Sequence, residues 1–174
     1  MRKFIVPIIL IFAVNTAIAQ ESTDKDMRWI SLADAEAAAR QSPRPVLIDL
    51  YTDWCGWCKV MDKRTYRNKN VISYLKEKFY TVKLDAETRS AVDWQGKKYP
   101  FNSQYKTNEI AMALTGGQLS YPTTVIIPAP GEAPQPIPGY LAPNELELIV
   151  KYFGDGAYKR MPFPEFQKKF KSTW

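Results

Sequence analysis

The run Val46-Leu-Ile-Asp-Leu-Tyr51 constrains this chain more than any other stretch. It is short, almost wholly apolar and bounded by turn formers, with Ser42-Pro-Arg-Pro45 before it. Such a run reads as a central strand buried on both faces, in a sheet that helices cover. Cys55-Gly-Trp-Cys58 follows at once and holds the only two cysteines of the chain. From Cys58 to Tyr66 the pattern is that of an amphipathic helix.

The surroundings extend this pattern. Ser31-Leu-Ala-Asp34 opens an alanine-rich helix to about Arg40, in the manner of a capping box. Asn70 is expected to cap a helix to about Lys78, with Val71, Leu75 and Phe79 on one face. Phe79 to Asp85 returns as a strand, so the order is helix, strand, helix, strand, an α/β pattern. Residues 91–101 alternate around Gln95-Gly96 as a small hairpin, and Asn108 to Leu114 is a short helix stopped by Gly116-Gly117. Pro122 to Ile127 is a β-branched strand, and a Pro-rich turn leads to an edge strand at Ile137 to Tyr140. Asn144 to Phe153 is a helix with Leu146, Ile149, Val150 and Phe153 inward, Pro143 near its start and Gly154 after its end. A last helix, about 164–171, packs through Phe163, Phe166 and Phe170. No repeat or long linker divides residues 29–174, which are expected to form one domain.

The first residues, MRKFIVPIILIFAVNTAIAQ, set the compartment. Arg2 and Lys3 form a basic head, Phe4 to Val14 is apolar, and Ala17-Ile18-Ala19 fits a signal-peptidase site. The apolar run is shorter than the roughly 20 residues that span a bilayer. A cleaved signal over residues 1–19 is therefore expected, followed by a polar, disordered segment at about 20–28. The mature protein would be extracytoplasmic, in the periplasm, where disulfides persist.

Composition removes several functions. The formal net charge is +6, yet Lys and Arg are scattered except for Lys168-Lys169-Phe170-Lys171. A nucleic-acid surface needs a basic stripe with exposed aromatics, so no nucleic-acid partner is expected. The chain has no histidine, which excludes histidine general bases, histidine metal sites and Cys–His nucleophile pairs.

That leaves the cysteine pair. A c-type haem needs CxxCH, and Lys59 follows Cys58. A zinc site needs four ligands, and neither a second CxxC nor a histidine exists, so a metal clip would need a dimer or added carboxylates. A structural staple would close a very short loop, where cross-links stabilise least. A redox couple fits best. Cys55 lies where the strand turns into a helix, and the orphan N–H groups and the helix dipole there favour a thiolate. Cys55 should attack and the more buried Cys58 resolve, while Gly56 keeps the turn open and Cys55 accessible. No metal or organic cofactor is required.

Val46-Leu-Ile-Asp-Leu-Tyr-Thr-Asp-Trp-Cys-Gly-Trp-Cys-Lys59 resembles the active-site strand and turn of thioredoxins. Asp49 falls on that family's buried aspartate, Lys83 on the lysine that pairs with it, and Tyr121-Pro122-Thr123 on the cis-proline turn facing the CxxC. The resemblance covers about residues 31–154. It implies a thioredoxin-like α/β fold, a central mixed sheet flanked by helices, with an insertion at about 88–108 before the cis-Pro strand. Trp57 replaces the usual proline between the cysteines. The signal segment and the LDAE and YPTT strings look more like secreted thioredoxin-related proteins and the C-terminal domain of DsbD.

The resemblance also implies roles. Asp49 would be both a structural carboxylate satisfied by Lys83 and an acid/base that exchanges a proton with Cys58. A cis Pro122 would leave the Tyr121 backbone free to pair with a substrate strand. Trp57 is expected outward, on the rim that receives a polypeptide, and Trp54 is open between rim and packing. The implied activity is thiol–disulfide exchange, more in the direction of reduction, on disulfide- or thiol-bearing proteins, with a membrane electron donor or other redox partner and a monomeric chain. The rival reading is a binding module whose CxxC stays oxidised.

Overall fold

In the computed structural model, which describes residues 26–174, everything is arranged around one strand. The expected signal segment, residues 1–19, lies outside the described residues. In chain order the elements are β1 (Trp29–Ile30), α1 (Leu32–Gln41), β2 (Val46–Tyr51), α2 (Gly56–Arg64), α3 (Lys69–Lys78) and β3 (Tyr80–Asp85). There follow β4 (Val92–Trp94), β5 (Lys97–Tyr99), β6 (Phe101–Asn102), β7 (Thr107–Asn108) and α4 (Glu109–Thr115). The chain closes with β8 (Thr123–Ile127), β9 (Gln135–Pro138), α5 (Pro143–Gly154), a 3-10 turn at Ala157–Lys159 and α6 (Phe163–Lys169). The main sheet has the order β1-β3-β2-β8-β9. β1, β3 and β2 are parallel, and β8 and β9 run antiparallel to their neighbours.

β2 is central and is buried from Val46 to Leu50, as an unbroken apolar run demands. Val46, Ile48 and Leu50 join Leu32, Ala35 and Ala39 of α1 and Ile110, Ala111 and Leu114 of α4 in one core layer. Leu47 points the other way, among Met61, Val71, Leu75, Leu146 and Val150 of α2, α3 and α5. Strand alternation thus feeds two cores, and it puts Asp49 on the face that α2 covers. Truncating the fully buried Leu47 to Ala should cost about 2–5 kcal/mol.

The Ser31 cap, the hairpin, the β-branched strand and α6 lie where the pattern puts them. At the hairpin Gln95 and Gly96 both take positive φ, 50° and 74°, the twist a two-residue turn requires. Several details differ. The cap of α3 is Asn68, not Asn70: its Oδ1 accepts from the N–H groups of Asn70 and Val71 at 2.9 and 3.3 Å. With asparagine at both positions, the earlier one starts the helix and Lys69 becomes its first residue. Met27, expected in a disordered segment, packs on the α2 side of the core. Gly154 lies inside α5 rather than after it. A Cβ there would come within 2.7 Å of the Tyr74 hydroxyl, so this glycine permits close packing on α3. The edge strand ends at Pro138 and leaves Tyr140 outside it. Its prolines at 136 and 138 have no N–H to offer another chain, which blunts the edge.

The excursion between β3 and α4 is tied off at its base. Asn108 Nδ2 donates to the carbonyls of Thr88 and Ser90 at 3.1 and 3.0 Å. The Thr107 hydroxyl and the Asn108 N–H both donate to the Ala86 carbonyl at 2.7 Å. Trp94 and Tyr99 pack into the α1 side of the core.

Candidate functional site

The site is assembled at the C-terminal end of β2. Cys55 is the N-cap of α2, and its Sγ accepts from the Cys58 N–H at 3.0 Å. The two sulfurs are joined as a disulfide, their Cα atoms 5.3 Å apart. The expected asymmetry between them is absent: Cys55 is 4% exposed and Cys58 3%. The exposure lies instead on the flanking indoles, Trp54 at 66% and Trp57 at 62%. Each has a tyrosine behind it, with ring centres 5.9 Å apart for Trp54–Tyr121 and 5.5 Å for Trp57–Tyr140. Trp54 Nε1 also donates to Glu87 Oε1 at 2.9 Å. Both indoles are therefore exposed on either side of the cysteine turn, and Trp54 is not packed away in the interior. Gly56 has no neighbour within 4 Å of where a Cβ would sit and no positive φ, so the fold itself does not demand glycine there.

A charge cluster with one deeply buried member, Asp49, lies on the side of the sheet that α2 covers. Lys83, the Cα partner of Asp49 across the parallel β2–β3 pair, reaches Asp49 Oδ2 at 2.9 Å. The same ammonium contacts Asp62 Oδ1. Asp62 stands one helical turn beyond Cys58 on the same face of α2, so the cluster joins the helix that carries Cys58 to the sheet. The rings of Tyr51, Trp29 and Tyr66 face the ammonium at 4.8, 5.5 and 5.9 Å, a cage that favours the cation. Burial pulls the Lys83 pKa down, but the attraction of Asp49 and its bonds to Asp62 and Asp49 prevail and hold it above its ordinary value. Asp49, 2% exposed, is pushed up to about 6, because burial outweighs the attraction and hydrogen bond of Lys83.

The Tyr121–Pro122 peptide is cis, and the Pro122 carbonyl accepts from the Gly139 N–H at 2.8 Å. Of the residues singled out from sequence, Cys55, Cys58, Gly56, Trp54 and Trp57 lie around the turn, Tyr121 stands behind Trp54 next to the cis Pro122, and Asp49 and Lys83 pair on the face of the sheet that α2 covers. Sequence reading missed Asp62, Glu87, Tyr140 and Tyr66. Asp62 carried a usable signal, its place four residues after Cys58; the others are tertiary contacts. Among the described residues no group of three or more His, Cys, Asp or Glu side chains is placed to hold a metal. No helix among them is long and apolar enough to cross a membrane.

Comparison with known proteins agrees with this geometry. Thiol:disulfide interchange protein DsbD from Vibrio vulnificus (strain CMCP6) is 30% identical over 84 residues, which are 45% of this chain and 14% of that protein. Thioredoxin-like protein slr0233 from Synechocystis is 37% identical over 54 residues, 31% of this chain and 49% of that one. The chain therefore spans about one seventh of the DsbD relative and about half of the cyanobacterial one. Among solved structures, a thioredoxin-fold protein from Helicobacter pylori superposes with a TM-score of 0.56 at 19% identity, covering 85% of each chain. A structure described as DsbH Oxidoreductase does so with a TM-score of 0.56 at 16% identity, covering 86% of this chain and 96% of that one. At these identities the superpositions show the fold alone, a thioredoxin-like one. The model of the family Thioredox_DsbH, described as "Protein of unknown function, DUF255", matches residues 13–146. The chain belongs to that thioredoxin-fold family.

Proposed function

We propose that this chain is an extracytoplasmic thiol–disulfide oxidoreductase that reduces disulfides in proteins. One observation carries the reading: a buried carboxylate with an elevated pKa, paired to a caged lysine, lies under the CxxC helix. A cysteine pair that only tightened a turn would have no use for such a costly group, and perturbed carboxylates cluster at working sites. The thiol:disulfide interchange relatives support the same chemistry.

In the dithiol form the Cys55 thiolate attacks one sulfur of a substrate disulfide. A Cys55–substrate bond forms, the substrate S–S bond breaks, and the departing sulfur takes up a proton. Cys58 then gives its proton to the Asp49 carboxylate and attacks Cys55 Sγ. The Cys55–Cys58 bond forms and the second substrate thiol leaves. Two electrons reach the substrate, so a dithiol partner protein, in our reading a membrane donor, must restore the pair. Trp54, Trp57 and the Tyr121–Pro122 turn receive the polypeptide, and Gly56 leaves space for its backbone. The signal-like sequence pattern of residues 1–19 supports a periplasmic site of action.

The low exposure of both cysteines favours a second reading, a peptide-binding module whose disulfide never opens. Insulin reduction separates the two. Turnover that is lost in Cys55→Ser supports the enzyme, whereas an inert wild type whose peptide binding survives in Cys55→Ser supports the binding module.

A further inference from the structure

Four buried side-chain oxygens lack a hydrogen-bond partner among the described residues: Asp49 Oδ1, Thr52 Oγ1, Tyr66 Oη and Thr124 Oγ1. Native interiors retain few such atoms, and a group of them points to a working device. Three of the four converge. Asp49 and Thr124 are cross-strand partners on β2 and β8, so their side chains leave the sheet on one face. Tyr66, just past the end of α2, is buried in the core on that face. Its ring centre is 5.9 Å from Lys83 Nζ, which itself lies 2.9 Å from Asp49 Oδ2. The Tyr66 hydroxyl stands within interaction range of both the Asp49 carboxyl and the Thr124 hydroxyl, although neither contact has hydrogen-bond geometry.

A single chain of bonds satisfies all three atoms. An ionised carboxylate only accepts, so the Tyr66 O–H must be the donor to Asp49 Oδ1. The phenolic oxygen is then left to accept from the Thr124 O–H. The ring alone would already fill the space, edge-on to Trp29 with ring centres 5.0 Å apart. Packing therefore explains an aromatic residue here but not its hydroxyl.

We propose that Tyr66 is a positioning residue for the exchange chemistry: its hydroxyl, held by Thr124, orients and stabilises the charged Asp49 carboxylate. The proposal rests on the reading of Asp49 as the proton acceptor for Cys58. The groups facing Asp49 are Lys83 on β3, Asp62 on α2, Tyr66 beyond α2, Tyr51 on β2 itself and the uncharged Thr124 on β8. Burial and the carboxylate beside it push the Tyr66 hydroxyl well above its ordinary pKa. It therefore remains a donor throughout the working range.

The test is the NMR titration of the Asp49 side-chain carboxyl in the oxidised protein, where neither thiol is present. Removing a donor to a carboxylate raises its pKa. In Tyr66→Phe the midpoint should rise by about one pH unit, and in Thr124→Val by less. In the reduced protein the pH profile of insulin turnover should move the same way, with kcat changed and KM not. An unchanged or lowered midpoint in Tyr66→Phe overturns the proposal. If that variant does not fold, Thr124→Val decides alone, and an unmoved midpoint there overturns it. A wild type that reduces no insulin, yet shows the Asp49 shift in Tyr66→Phe, upholds the positioning role and removes the exchange reading.

Discussion

Lys83 holds two carboxylates at once, Asp49 from the sheet at 2.9 Å and Asp62 from α2. Only one of the two is deeply buried, and that difference sets the chemistry. Asp49 is 2% exposed, while the Asp62 side chain is 41% exposed. Desolvation acts on Asp49 first and raises its proton affinity. The lysine then limits how far it can rise.

The first prediction concerns stability against pH. Asp49 moves from an ordinary value of 3.8 to about 6 on folding, so the folded state binds this proton more tightly than the unfolded chain. Its contribution to stability is fully present below about pH 4 and is lost as pH rises through about 6, a change of about 3 kcal/mol. Asp49→Asn abolishes that dependence. Urea unfolding of the oxidised proteins at pH 5 and pH 8 measures it: the wild type should lose stability between the two pH values relative to Asp49→Asn.

The second concerns Asp62. Its negative charge raises the Asp49 pKa, and it competes for the lysine. Asp62→Asn should therefore lower the Asp49 midpoint by a few tenths of a pH unit or more. That is the opposite sign to Tyr66→Phe. The acid limb of the turnover profile should shift to lower pH with it.

The legibility of this molecule follows the range of its contacts. β2, the CxxC turn and the hairpin are local patterns, and the order of apolar runs was enough to place them. Asp49, Lys83 and Pro122 came from resemblance, because nothing in a strand pattern says which neighbour a buried aspartate will meet. Asp62 was readable as one helical turn from Cys58, yet only the fold shows that Lys83 lies between it and Asp49. Glu87, Tyr140 and Tyr66 matter through contacts across the sheet or between loops. Asn70 was misread as a cap because Asn68, two residues earlier, offers the same chemistry. The low exposure of Cys55, 4%, likewise has no counterpart in the local pattern.

The third prediction concerns the rim. Trp54 and Trp57 are largely exposed, so their removal should change folding stability by no more than about 0.5 kcal/mol. As anchors for a polypeptide, each should matter to binding. Trp57→Ala and Trp54→Ala should raise KM for insulin about tenfold, a loss of about 1.4 kcal/mol, with kcat little changed. Glu87→Ala, which frees the Trp54 indole from its 2.9 Å bond, should give a smaller change in the same direction.

The fourth lies away from the site. Glu147 on α5 is fully buried and accepts from the N–H groups of Thr173 and Trp174 at 2.9 and 3.2 Å, and from the Thr173 hydroxyl at 2.6 Å. Burial alone would raise its pKa, but Lys151, Ser172 and Thr173 donate to it and hold it at about 2 instead of 4.5. That stabilisation is present above pH 4.5 and fades as pH falls towards 2. Glu147→Gln should destabilise the fold by about 1–3 kcal/mol at neutral pH. It should also speed hydrogen exchange at the Thr173 and Trp174 amides, whose N–H groups donate to Glu147.

The most direct test of the central claim is the reduction potential of the Cys55–Cys58 pair, measured by equilibration in thiol redox buffers. The account predicts a reversible two-electron couple between about −270 and −120 mV, the span of exchange-active CxxC proteins, and towards its reducing end. A pair that stays oxidised until below about −300 mV, as structural disulfides do, would contradict it and leave a binding module in its place.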